Sequence, residues 1–169
     1  PIKERTQIMF RFREILMRDI DAISHTISLE NGKLLSESKA GLMKGIEVLE
    51  YATSLQNSDQ GGKIEVSRGV FCEYRREALG VVASITPFNF PAMVPMWTIP
   101  IALTVGNCFI WKPSEKTPLT SAWIAKALKE AGLPDGVFSV LQGGRGIVEA
   151  LMDHPDIKAV SFVGSTKVA

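Results

Sequence analysis

The sequence predicts an α/β protein: N-terminal helices leading through a β-ribbon into part of a doubly wound parallel sheet. Three observations carry that expectation. Apolar residues recur at three-and-four spacing as far as Leu55. From Gly80 onward, four short apolar runs alternate with helical patterns. Those runs are near-continuously apolar rather than alternating, as parallel strands buried on both faces are.

In chain order, Ile8, Phe12, Ile15, Leu16, Ile23 and Ile27 form the apolar stripe of one amphipathic helix. Asn31-Gly32 supplies its stop, since both residues tolerate a left-handed backbone. A second helix is expected from Ser36 to Leu55, with Leu42, Ile46, Leu49 and Ala52 facing inward. Gln56 to Lys63 is polar and contains Gly61-Gly62, which predicts a loop. Val70 to Arg76 mixes β-branched, aromatic and charged residues, as an exposed strand or ribbon does. The strands then expected are Gly80–Ile85, Phe109–Trp111, Phe138–Leu141 and Ala159–Val163, with helices at Met93–Gly106, Ser121–Ala131 and Gly146–Met152. This is the pattern of a Rossmann-like sheet.

Composition excludes several functional classes. Among 169 residues, 19 Lys and Arg stand against 18 Asp and Glu. That balance gives no basic footprint for nucleic acid or an anionic membrane surface. No apolar run reaches the roughly 18 to 20 residues that span a bilayer. Cys72 and Cys108 fit no metal or CxxC spacing, and their apolar neighbours predict buried, reduced thiols. That usage suits a cytoplasmic protein. The chain opens at Pro1 without an initiator Met, and Gly164 to Ala169 reads as the opening of a helix. A piece of a longer protein is therefore expected.

Open parallel sheets bind ligands beyond the carboxyl ends of their strands. Those ends are Thr86–Asn89, Lys112–Glu115, Gln142–Arg145 and Gly164–Thr166. The segments Ile85-Thr-Pro-Phe-Asn-Phe-Pro91, Trp111-Lys-Pro-Ser-Glu115 and Ser161-Phe-Val-Gly-Ser-Thr166, in that order, closely resemble the aldehyde dehydrogenase superfamily. With His154-Pro-Asp-Ile-Lys-Ala-Val-Ser-Phe-Val-Gly164 they look most like its methylmalonate-semialdehyde dehydrogenase branch. The resemblance covers nearly the whole chain, including Gly45-Ile-Glu-Val-Leu-Glu-Tyr51. It implies an incomplete fold of that type: residues 1–79 as helical segment and ribbon, and 80–169 as the first half of an NAD-binding domain, without a catalytic domain. The ribbon would belong to an oligomerisation element, giving a homodimer or homotetramer when intact.

Read alone, Asn89 ties down a turn before Pro91. The resemblance makes its amide the donor to an oxyanion formed as a cysteine adds to an aldehyde. Lys112 and Glu115 alone are a solvated pair. By resemblance they bind the adenosine ribose of NAD, with Lys116 beside them in a position that is usually Arg. A carboxylate at Glu115 accepts hydrogen bonds from a diol but repels a 2′-phosphate, so NAD is expected over NADP. Ser165 caps a helix or contacts the cofactor, and Ala169 stands where the motif usually closes on Gly. Gly143, Gly144 and Gly146 lack full phosphate-loop spacing and read as a turn. Thr86 and Phe88 would flank the nicotinamide, although Phe88 is otherwise a plain core aromatic. Lys44 corresponds to an Arg that binds the substrate carboxylate in the semialdehyde branch, but lacks the flat bidentate fork. His25 and His154 have no catalytic partner nearby in sequence.

The implied activity is NAD-dependent oxidation of a small-molecule aldehyde through a cysteine thioester, released to coenzyme A with loss of carbon dioxide. The nucleophilic Cys would lie beyond Ala169, leaving this piece inactive alone. Two alternatives stay open: an ordinary hydrolytic aldehyde dehydrogenase giving a carboxylate, and a non-catalytic nucleotide-binding module.

Overall fold

The computed structural model describes residues 1–58 and 61–166. The helix expected to open at the C-terminal end, Ala169 included, lies outside the described residues. The first apolar stripe forms two helices rather than one: α1 (Ile2–Arg18) and α2 (Ile20–Asn31). Asp19 separates them, with φ −106° and ψ 18°. Its carboxylate folds back onto Arg18 (Nε to Oδ1 3.0 Å), the local competition that makes Asp a poor residue inside a helix. The break is a kink, because Asp19 still bonds Ile15 and Ile23 through its backbone. Gly32 ends α2 in the left-handed conformation (φ 77°), as the sequence predicts.

Helix α3 (Leu35–Ser54) buries Leu42, Ile46, Leu49 and Ala52. A hairpin follows, of β1 (Gly61–Ser67) antiparallel to β2 (Val70–Arg75). The loop expected through Lys63 is thus already strand at Gly61. Glycine is required there, since φ is +147° and a Cβ would come 2.4 Å from the Tyr74 carbonyl oxygen. Both faces of this ribbon are bare, which corrects the buried thiol expected at Cys72: it is exposed, and Cys108 is half-buried. Two strands without a covering layer have no interior in which to hide a side chain.

Four parallel strands then form the sheet, in the order β5-β4-β3-β6: β3 (Val81–Ile85), β4 (Cys108–Lys112), β5 (Phe138–Val140) and β6 (Ile157–Phe162). Two short helices, α4 (Met93–Met96) and α5 (Ile99–Thr104), replace the single one expected after β3. Helix α6 (Pro118–Glu130) follows β4, and α7 (Arg145–Asp153) follows β5. Right-handed crossovers put α5 and α6 on one face. The return from β5 across to β6 puts α7 on the other. On the first face Val82, Phe109 and Trp111 pack with Met9, Phe12, Leu16, Ile124 and Leu128 in one continuous core. The far face is thinner than expected: Leu151 is the buried residue of α7, and Ser139 is exposed.

Side chains from the first two helices fasten this core. Arg5 Nε donates to the Thr104 carbonyl (2.8 Å) and Arg11 Nε to that of Ala131 (2.7 Å), closing the C-termini of α5 and α6. Thr117, before α6, makes no side-chain cap. Instead the Glu30 carboxylate, at the end of α2, accepts from the Leu119 N–H and from the Thr120 N–H (2.8 Å) and hydroxyl. A carboxylate there satisfies unpaired donors and complements the helix dipole. Glu30→Ala is therefore expected to cost about 1–2 kcal/mol, seen as a lower urea midpoint with unchanged slope. An unchanged midpoint would show that water caps α6 equally well.

Candidate functional site

The β3 strand ends in a loop held between two prolines, Pro87 and Pro91, whose rings fix φ. Thr86 is buried at its start. Its hydroxyl accepts from Trp111 Nε1 (2.9 Å) and its N–H donates to the Lys112 carbonyl (3.2 Å), joining the ends of β3 and β4. That bond occupies one acceptor site of the hydroxyl. Beyond it Phe88, Asn89 and Phe90 are exposed, so Phe88 is not a core aromatic.

These residues line a cleft of about 480 Å³ with Met93, Trp97, Gly164 and Ser165. The ends of β3 and β6, the two strands at the centre of the chain reversal, meet there. Asn89 and Ser165, 76 positions apart by their numbers in sequence, therefore share one wall system. Met93 and Trp97 were not anticipated. Their one-turn spacing on the helix expected after Pro91 was the signal.

At the end of β4, Lys112 Nζ lies 3.2 Å from Glu115 Oε2. The Lys112 side chain is only 7% exposed and that of Glu115 is 58% exposed. A fixed buried donor thus sits beside a reachable acceptor, a set that suits the paired hydroxyls of a sugar. The Glu115 carboxyl is held below its ordinary pKa, first by its own backbone N–H and then by Lys112. It stays ionised at neutral pH. Lys116 Nζ stands 4.5 Å over the Phe88 ring, linking this loop to the one bearing Asn89.

The turn after α2 also reaches this region. Asn31 Nδ2 donates to the Phe88 carbonyl (2.6 Å), and Lys33 Nζ lies 3.6 Å over the Phe90 ring. Burial pushes the Lys33 pKa down, partly opposed by Glu37. Lys44 is not brought to the cleft wall. It is exposed on α3 and bound by Glu47 at 2.9 Å.

A larger hollow of about 930 Å³, lined by Arg5, Arg75, Arg76 and Gly106, opens at the amino ends of β3 and β4. Parallel sheets place their chemistry at the opposite ends. Arg5 there caps α5, and Arg75 pairs with Glu77. Among the described residues no group of three or more His, Cys, Asp or Glu is arranged to hold a metal ion. No helix among them is long and apolar enough to cross a membrane.

Comparison with known proteins gives the chain a family. The aldehyde dehydrogenase family model matches residues 1–169. The chain is 42% identical over 170 residues to malonate-semialdehyde dehydrogenase 2 of Shouchella clausii (strain KSM-K16), covering 100% of this chain and 35% of that protein. It is 45% identical over 166 residues to the mitochondrial acylating methylmalonate-semialdehyde dehydrogenase of Arabidopsis thaliana, covering 98% of this chain and 27% of the relative. The solved methylmalonate-semialdehyde dehydrogenase of Oceanimonas doudoroffii superposes with a TM-score of 0.97 at 44% identity, over 99% of this chain and 35% of the other. A Sinorhizobium meliloti 1021 structure complexed with NAD gives 0.97 at 37% identity, over 100% and 35%. The chain thus spans about a third of the length of the relatives it matches.

Proposed function

The chain belongs to the aldehyde dehydrogenase family, and we propose that the intact protein oxidises malonate or methylmalonate semialdehyde with NAD, giving an acyl-coenzyme A and carbon dioxide. The observation that carries the reading is the meeting of Asn89 with Ser165 in one cleft, beside the Lys112–Glu115 pair at the next strand end. The names of the relatives support the semialdehyde and the acylating outcome.

In this reading a cysteine thiolate adds to the aldehyde carbonyl, and the Asn89 amide N–H donates to the oxygen as it gains negative charge. Neither cysteine of the chain is suited to attack. Cys108 begins β4, roughly 13 Å along the strand from Lys112 at 3.3 Å per residue, and Cys72 lies on the ribbon. The thiolate comes from the rest of the protein. NAD, when bound, supplies the hydride acceptor. Lys112 donates to its ribose hydroxyls and Glu115 accepts from them. Ser165 contacts its phosphates, and Phe88, with Thr86 behind it, flanks the nicotinamide. Lys116, resting on Phe88, ties the ribose loop to the oxyanion loop. Lys44, exposed on α3 beside Glu47, would attract the substrate carboxylate without a bidentate grip. The bare ribbon, with Ile64, Val66, Phe71 and Tyr74 exposed, serves assembly into a dimer or tetramer.

The test is NADH formation by the full-length protein on both semialdehydes, with and without coenzyme A. Turnover should depend on coenzyme A and on the substrate carboxylate. Indifference to both would leave an ordinary hydrolytic aldehyde dehydrogenase. NAD binding without turnover would leave a nucleotide-binding module.

A further inference from the structure

We propose that Asn31, the last residue of α2, is a positioning residue for Asn89. The proposal rests on the oxyanion reading of Asn89. The Asn31 side-chain amide donates to the Phe88 carbonyl oxygen at 2.6 Å, across 57 positions of sequence. That carbonyl belongs to the peptide bond leading into Asn89. Because a trans peptide is planar from one Cα to the next, holding its oxygen fixes the plane in which the Asn89 N and Cα sit, the base from which its side chain leaves.

Lys33, two residues on, holds the other flank by placing its ammonium 3.6 Å over the Phe90 ring. The Asn31–Lys33 turn thus grips the residues on both sides of Asn89 without itself lining the cleft. Gly32, in the left-handed conformation between them, lets both side chains reach the same loop. Within the loop, the Phe90 carbonyl accepts from the Val94 N–H (3.2 Å), which anchors the far end. Asn31 anchors the near end. An oxyanion donor is effective only when its direction is set before the charge develops. Loss of the Asn31 amide frees the Phe88–Asn89 peptide to rotate, while the ribose pair on β4 is untouched.

In the full-length enzyme, Asn31→Ala should lower kcat about 3- to 10-fold, the loss of one hydrogen bond, with the Kd for NAD unchanged. Asn31→Gln, which keeps a donor amide, should recover part of the rate. In an Asn89→Ala background the same Asn31→Ala change should alter kcat by less than about twofold. An unchanged kcat in the single variant, or an additive loss in the double, would overturn the role of Asn31 alone. If Asn89→Ala itself left kcat unchanged, the oxyanion reading would fall and the Asn31 role with it. Should Asn31→Ala not fold, Asn31→Asp keeps the shape without the donor and carries the same expectations. Failure of both to fold would make Asn31 a structural residue and end the proposal.

Discussion

Asn89→Ala in the full-length enzyme should lower kcat about 100- to 1000-fold while leaving the Kd for NAD within about twofold. The size follows from what the amide does in the proposed chemistry. It sits exposed at the mouth of the cleft, between Phe88 and Phe90, with prolines at both ends of its loop. In the proposed chemistry that amide donates as the carbonyl oxygen becomes an oxyanion. Its loss raises the barrier by about 3–4 kcal/mol. The cofactor pair on β4 lies in a separate loop, so NAD affinity should barely move. Asn89→Asp should be at least as damaging, since a carboxylate would face the developing negative charge. Steady-state kinetics with NAD titrated by fluorescence checks both statements. A kcat within threefold of the parent enzyme would reduce Asn89 to a turn residue.

The second large effect is on cofactor choice. Glu115→Gln should shrink the NAD-over-NADP ratio of kcat/KM by about tenfold, the lower end of what a charged hydrogen-bonding partner contributes. The lower end applies because this carboxylate is more than half exposed and so screened by water. Its pH dependence has a definite sign. The folded-state pKa is depressed, first by the residue's own backbone N–H and then by Lys112. The carboxylate's contribution is therefore complete above the ordinary carboxylate range. It disappears only as pH falls through the depressed value, so the contribution of Glu115 to NAD affinity should be flat from about pH 6 to 8. An unchanged preference in the variant, or an NAD affinity of the parent enzyme that titrates near neutrality, would remove Glu115 from the ribose site.

How much of this was legible in the sequence depends on the range of each interaction. The four strands were readable because runs such as Phe109–Trp111 are continuously apolar, and the α2 stop was readable from Asn31-Gly32. Asp19 hid the first helix break: a single Asp between two periodic segments does not interrupt the apolar stripe, and its side-chain fold-back onto Arg18 is visible only in three dimensions. Gly61-Gly62 read as a loop because the close approach of the Tyr74 carbonyl, the reason for Gly61, comes from a partner strand. Among site residues, Lys112 and Glu115 are three apart and form the local pair their spacing suggests. Lys44 has an equally local partner in Glu47, which the resemblance to the semialdehyde branch obscured. The bonds Asn31 to Phe88 and Trp111 to Thr86 join distant segments and leave no pattern in a single sequence.

The most direct measurement is a crystal structure of the full-length protein with NAD. The account predicts Lys112 Nζ and the Glu115 carboxylate within hydrogen-bonding distance of the adenosine ribose hydroxyls, and the Asn89 amide facing the nicotinamide end of the same cleft. A cofactor seated elsewhere, or a ribose turned away from Glu115, would contradict it.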